Sequence, residues 1–149
     1  MIRKATLQDL DQLTNLFDQY VVFYKNPSNI EKHKAYLKER IENNEATIYL
    51  AFDEKNPEKA IGFTLIYVTF SSLALNKILI LNDLYVDSNI RKNGIGEKLI
   101  LQAVAFAKEL GSNLIRLRTA KNNTAAQGLY TKMGFVREDY LYSYDLAVK

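Results

Sequence analysis

The chain has 149 residues, enough for one domain with a proper core, and 48% are apolar against 25% charged, the balance of a soluble globular protein. It contains no cysteine, which excludes disulfides, a thiolate zinc site and a cysteine nucleophile, so any group transfer is direct or uses another nucleophile. A net charge of +3 without a long basic run suits either a solvated surface or a polyanionic nucleotide ligand.

Residues 1–5 read as a short strand. Thr6 then precedes Leu10, Leu13, Phe17, Tyr20 and Tyr24, spaced by three and four along one helix face. Asn26-Pro27 breaks that helix, and Ser28-Asn29-Ile30-Glu31 has capping-box spacing that opens a second, more polar helix to about Asn43. Thr47–Phe52 and Ala60–Phe70 are rich in β-branched and aromatic residues and flank the charged turn Asp53–Glu58, which predicts an antiparallel pair.

Ile78–Val86 is a third apolar strand, broken only by Asn82-Asp83. After the polar loop Asp87–Asn93, Gly94–Leu110 places Ile95, Leu99, Ala103, Phe106, Ala107 and Leu110 on one helical face, and Gly111 suits the left-handed residue that ends a helix. Leu114–Thr119 predicts a short strand, Asn123–Met133 a helix ended by Gly134, and Phe135–Val148 one or two closing strands. The order β-α-α-β-β-β-α-β-α-β(-β) implies an α/β (α+β) fold, a mixed sheet with helices on both faces, in a single domain over 1–149. No apolar leader or run of about 18 apolar residues occurs, so a cytoplasmic chain with no membrane partner is expected.

Arg91-Lys92-Asn93-Gly94-Ile95-Gly96 lies between a buried strand and a helix. Amides at a helix N-terminus point outward, and glycines remove the Cβ atoms that would keep a phosphate away from them. A pyrophosphate cradle and a plain turn into a helix both fit these glycines. A dinucleotide fingerprint would need glycine at 99, which is Leu, and a P-loop would need Gly-Lys-Ser/Thr where Gly96 is followed by Glu97-Lys98.

Taken with Leu84-Tyr85-Val86 and with Asn123-x-x-Ala126-x-x-Leu129-Tyr130-x-Lys132-Met133-Gly134-Phe135, that loop resembles the GNAT acetyltransferase family over the whole chain. The resemblance implies a mostly antiparallel central sheet and a direct transfer of acetyl from acetyl-CoA to a primary amine. The acceptor is a polyamine-like or amino-acid-like small molecule, or a peptide. It also implies that the strand Ile78–Val86 splays from Leu114–Thr119, with pantetheine in the gap along Leu84, Tyr85 and Val86. Pyrophosphate would then rest on Arg91, Lys92, Asn93, Gly94, Ile95, Gly96 and Glu97. Asn123 and Ala126 match a second cofactor contact, and Lys132 is either a phosphate ligand or an exposed helix lysine. Tyr130 matches the tyrosine that donates to the departing thiolate. A phenol with a pKa of about 10 is protonated at neutral pH and suits that task, although Tyr130 by itself, one of ten tyrosines, reads as a core residue.

Asp83 interrupts an apolar strand, and burying a carboxylate is costly unless it is bonded. Desolvation would raise its pKa toward that of a general base for an ammonium substrate. Holding a cationic acceptor, or bonding a neighbouring loop, explains it as well. Polyamine-acetylating relatives often carry Glu-Asp where this chain has Asn82-Asp83. The resemblance implies an acceptor site at the first two helices and their junction, which makes Tyr20, Phe23 and Tyr24 candidate acceptor contacts, since aromatic faces hold cations. A core role serves Tyr20 and Tyr24 equally, while Phe23 lies off the apolar stripe. Gln19–Ser28 with Leu81–Leu84 is similar to members grouped with histone and polyamine acetyltransferases. His33, the single histidine, reads as a surface residue, and with no cysteine no metal is expected. A non-catalytic acyl-CoA sensor using the same cradle is the alternative. Nucleic-acid binding would need a clustered basic face, which is missing. Many members of the family dimerise, and Tyr140–Tyr144 would suit a homodimer contact, the core or the acceptor pocket.

Overall fold

A computed structural model describes residues 1–90 and 93–149; Arg91 and Lys92, expected in the phosphate cradle, lie outside the described residues. The chain divides into two compact units, Met1–Arg118 and Thr119–Lys149.

The first unit holds a five-stranded sheet in sequential order: β1 (Ile2–Lys4), β2 (Thr47–Phe52), β3 (Ala60–Ser71), β4 (Asn76–Val86) and β5 (Ile115–Arg116). Neighbours are antiparallel except β4 and β5, which run parallel. Three helices complete the unit: α1 (Leu10–Phe23), α2 (Ile30–Glu42) and α3 (Ile95–Glu109). This is the mixed, mostly antiparallel architecture expected. One core joins Leu10, Leu13 and Leu16 of α1 and Leu37 of α2 to Ile48, Leu50, Phe63 and Leu65 of the sheet. On the other face α3 buries Leu99, Ile100, Ala103 and Ala107, and its Phe106 ring meets Tyr49 of β2. Among the described residues no helix is long and apolar enough to cross a membrane.

Chain entry into α1 is fixed electrostatically. Thr6 and Asp9 form a capping box over a 3-10 turn at Leu7–Asp9, and Arg3 grips Asp9 through two bonds of 2.8 Å. The guanidinium holds the Asp9 carboxyl below the usual range despite burial.

The start of α2 corrects two expectations. Its N-cap is Asn29, whose side chain accepts from the Lys32 amide, and not Ser28. Ser28 instead donates from Oγ to buried Asp18 of α1 at 2.6 Å, and the Asn29 amide donates to the same carboxylate at 3.0 Å. His33 is not a surface residue either: Nδ1 lies 2.8 Å from Asp18 and the ring meets Phe17 edge-on. The partner that decides both positions comes from α1, so local spacing does not reveal it.

In the second unit, α4 (Thr124–Lys132) starts at Asn123 and ends at Gly134, whose φ of 96° permits the bonds from its own amide to Thr131 and from Phe135 to Tyr130. The closing strands expected over Phe135–Val148 are absent: residues 135–149 carry no helix or strand, and Tyr140, Tyr142, Tyr144, Leu146 and Val148 are exposed. Alternation supplies a strand with a face, but a strand also needs an edge to pair with. For the same reason β5 forms only at Ile115–Arg116 instead of across Leu114–Thr119.

Candidate active site

The centre of the first unit's site is an irregularity in β4. Leu65 of β3 lies opposite Asp83 and Ile66 lies opposite Leu81, so Asn82 is an extra residue, a β-bulge. A strand alternates its faces with period two, and the bulge resets that count. Leu79 and Leu81 stay with Ile66 on the α3 face, whereas Asp83 and Tyr85 turn with Phe63 and Leu65 toward α1 and α2. The Thr64 hydroxyl, itself fully buried, donates to the Asp83 carbonyl at 2.9 Å and secures the bulge from the other side.

Asp83 is thereby carried into the α1-side core with 7% exposure. Burial pushes its carboxyl pKa up, and hydrogen bonds from the Tyr20 hydroxyl and the Asn82 amide, the latter at 3.2 Å, oppose the shift. Rings surround it. Tyr20 contacts Phe63, Tyr85 and Tyr24 edge-on, and Phe23 reaches Tyr24 and Tyr85. Exposure rises outward, from 0% at Phe63 and 7% at Tyr85 to 41% at Tyr24 and 50% at Phe23. The Tyr85 hydroxyl bonds Gln19 at 3.4 Å. The structure thus brings Tyr20, Phe23, Tyr24 and Asp83 together, and adds Tyr85, whose side chain belongs to this aromatic cluster.

Two further phenols were not legible as site residues. Tyr67 of β3 shares the sheet face of Asp83, and its hydroxyl lies 2.5 Å from that of Tyr36 on α2. Burial raises the Tyr67 pKa first, reinforced by the Tyr36 bond and by the negative charge of Asp83. The bulge is what brings Tyr67 and Asp83 to one face, and nothing in the spacing announces a bulge.

Beside this cluster β5 pairs with β4 at Leu79 and Ile80, and the ladder is not taken up again at Asp83 and Leu84. The family resemblance implies a gap for pantetheine beyond that point. Past the end of β4, α3 begins at Gly94, which has φ 74° and open space where a Cβ would stand. The first helical bond runs from the Lys98 amide to the Gly94 carbonyl at 3.1 Å. The amides at Ile95 and Gly96 precede it and have no acceptor within the helix, a donor set that fits a phosphate. Asn93 and Glu97 flank this turn. Gly62 of β3 keeps the region close-packed: a Cβ there would come within 2.9 Å of the Tyr85 carbonyl and 3.5 Å of Ile95.

In the second unit the motif residues have visible local tasks. Asn123 accepts the Ala126 amide at 3.3 Å and so starts α4, while Gln127 ties back to the carbonyls of Ala120 and Lys121. Tyr130 packs edge-on against Phe135, centroids 5.7 Å apart. A cleft of about 590 Å³ at the β1 edge, lined by Thr6, Ile41 and Ile48 among others, lies three strands away from β4 and carries no comparable chemistry. No group of three or more His, Cys, Asp or Glu able to hold a metal is found among the described residues.

Comparison with known proteins bears on the family and the fold. The profile of the Acetyltransferase (GNAT) family matches residues 10–135. An uncharacterized N-acetyltransferase of Bacillus subtilis, YhfO, is 38% identical over 147 residues, covering 99% of this chain and 97% of its own. A D-amino-acid N-acetyltransferase of Saccharomyces cerevisiae, HPA3, is 37% identical over 93 residues, 62% of this chain and 57% of its own. A crystal structure of a probable acetyltransferase superposes with a TM-score of 0.92 at 34% identity, covering 100% of this chain and 98% of that one.

Proposed function

Because the chain belongs to the Acetyltransferase (GNAT) family, we propose that it moves the acetyl group of acetyl-CoA directly onto the primary amine of a small molecule or peptide. The observation that carries the acceptor side is the buried carboxylate of Asp83, set by a bulge at the floor of an aromatic cluster that opens to solvent. Such a site suits an alkyl ammonium: π faces and one anion attract the cation, and a carboxylate with a raised pKa takes a proton from it. The neutral amine then attacks the thioester carbonyl. A C–N bond forms, the C–S bond breaks, and the amine's second proton leaves to solvent as the amide forms.

The cofactor side rests on the helix end at Gly94, Ile95 and Gly96, with Asn93 and Glu97 beside it, and on the edge of β4 at Leu84. Arg91 and Lys92 complete the cradle in this reading. In the second unit we assign Asn123 and Ala126 to a further cofactor contact. Tyr130 receives the role of donor to the leaving thiolate, a role supported by the family motif. We also take the two units as one domain, since the family profile spans both, and propose a cytoplasmic homodimer formed through the exposed Tyr140–Tyr144 segment.

Tyr130→Phe tests the thiolate role. Under single turnover the chemical step should slow by about 10- to 1000-fold while acetyl-CoA binding is kept. An unchanged step would remove Tyr130 from the mechanism.

A further inference from the structure

The family resemblance and the chemistry of aromatic faces offered Tyr20, Phe23 and Tyr24 as acceptor contacts, but the structure singles out a different pair. Tyr67 sits one step along β3 from Leu65, which lies opposite Asp83, and both side chains fall on the α1-side face because Asn82 bulges out. Its hydroxyl meets that of Tyr36 at 2.5 Å, so β3 and α2 are joined at a half-exposed phenol on the sheet face that holds Asp83. Tyr20 closes the other side with a hydrogen bond to Asp83.

Charges of both signs reach this arrangement: Asp83, bonded by the Tyr20 hydroxyl, pushes the Tyr67 pKa up, and Arg40 of α2 opposes it. Arg40, which stacks on the Tyr36 ring at 4.5 Å, is already taken by Glu39 at 3.0 Å and Glu45 at 3.2 Å. On the same helix Lys34 is held by Asp11 at 2.8 Å. His33 is turned to Asp18. An acceptor nitrogen drawn to Asp83 therefore meets a carboxylate and phenol faces, while the nearby cations of α2 are paired with their own anions.

We infer that Tyr67 and Tyr36 are specificity-determining residues, and that with Asp83 and Tyr20 they select an alkyl amine carrying no carboxylate on the carbon beside its nitrogen. This rests on the acetyl-transfer reading above and narrows it. An α-amino acid would bring its own carboxylate against Asp83 at the floor of the cluster, where burial keeps water from screening the repulsion, and Arg40 could pair with it only by giving up Glu39 and Glu45. The amine left when that carboxylate is removed keeps the ammonium and the apolar stem, which are the parts the cluster recognises.

The test compares acceptors of one skeleton: 1,5-diaminopentane against both enantiomers of lysine, and phenethylamine against both enantiomers of phenylalanine. CoA release is followed with acetyl-CoA saturating. The amines should exceed the amino acids by about tenfold or more in kcat/KM. Tyr67→Leu should raise KM for the amine by about tenfold and leave KM for acetyl-CoA unchanged, while Tyr67→Phe keeps most of the affinity because the ring remains. Tyr36→Phe, a change at a half-exposed position that folding tolerates, should shift amine KM alone. Amino acids acetylated as well as their amines, or acceptance confined to peptides, would overturn the inference and leave acetyl transfer standing. A Tyr67→Leu effect shared equally by both KM values would also overturn it, since that is what a merely structural tyrosine does. CoA release with no amine of any class would instead defeat the acetyl-transfer reading.

Discussion

Asp83 works against the fold that holds it. Burial raises its pKa, so the native state binds that proton more tightly than the unfolded chain does. Its contribution to stability is therefore full below the unfolded carboxylate range and falls as pH rises through the folded value. Asp83→Asn should make the protein more resistant to urea than wild type near neutral pH, with the difference shrinking in acid. The same substitution should lower kcat/KM by about 10²- to 10⁴-fold if the carboxylate takes the ammonium proton. Urea midpoints at several pH values and steady-state rates check the two halves separately. Asp83 was legible because a polar pair in an apolar strand is an anomaly with a cost. Tyr67 and Tyr36 were not, because a tyrosine in a strand or a polar helix is ordinary until register and a long-range hydrogen bond give it a neighbour. Tyr130 and Asn123 were legible only through the family motif; the visible reason for Asn123 is that it caps α4.

At the scale of elements, the junction of α1 and α2 is held by one carboxylate. Burial pushes the Asp18 pKa up, but bonds from Ser28, the Asn29 amide and His33 bring it below the usual range. The folded value being the lower one, this contribution is present above about pH 4 and lost as pH falls through the folded pKa. Asp18→Ala should cost about 2 kcal/mol at neutral pH and weaken the acid dependence of stability, measured by urea unfolding. On the sheet, Gly62→Ala should destabilise by about 1 to 3 kcal/mol, because the added methyl would meet the Tyr85 carbonyl of the neighbouring strand. Periodicity predicted the helices to within a few residues, including α3 and α4, since amphipathic spacing is a local property. Register is not: the bulge at Asn82, the N-cap at Asn29 and the shortness of β5 are each settled by residues far away in the chain.

For the molecule as a whole, a long exposed apolar stretch lies in the second unit. Tyr140, Tyr142, Tyr144, Leu146 and Val148 alternate along a segment without strand partners. If that segment supports the proposed homodimer, sedimentation equilibrium should show a dimer that Tyr142→Lys together with Tyr144→Lys disperses. A wild-type monomer at micromolar concentration would remove the homodimer from the account.

The central claim is acetyl transfer from acetyl-CoA to an amine. It is tested most directly by CoA release, read with a thiol reagent, across amines, amino acids and peptides. The protein has no cysteine to react with the reagent, so every thiol counted is released CoA. Release should depend on an alkyl amine and fall by about 10²- to 10⁴-fold in Asp83→Asn. Saturable acetyl-CoA binding with no release for any acceptor would contradict it.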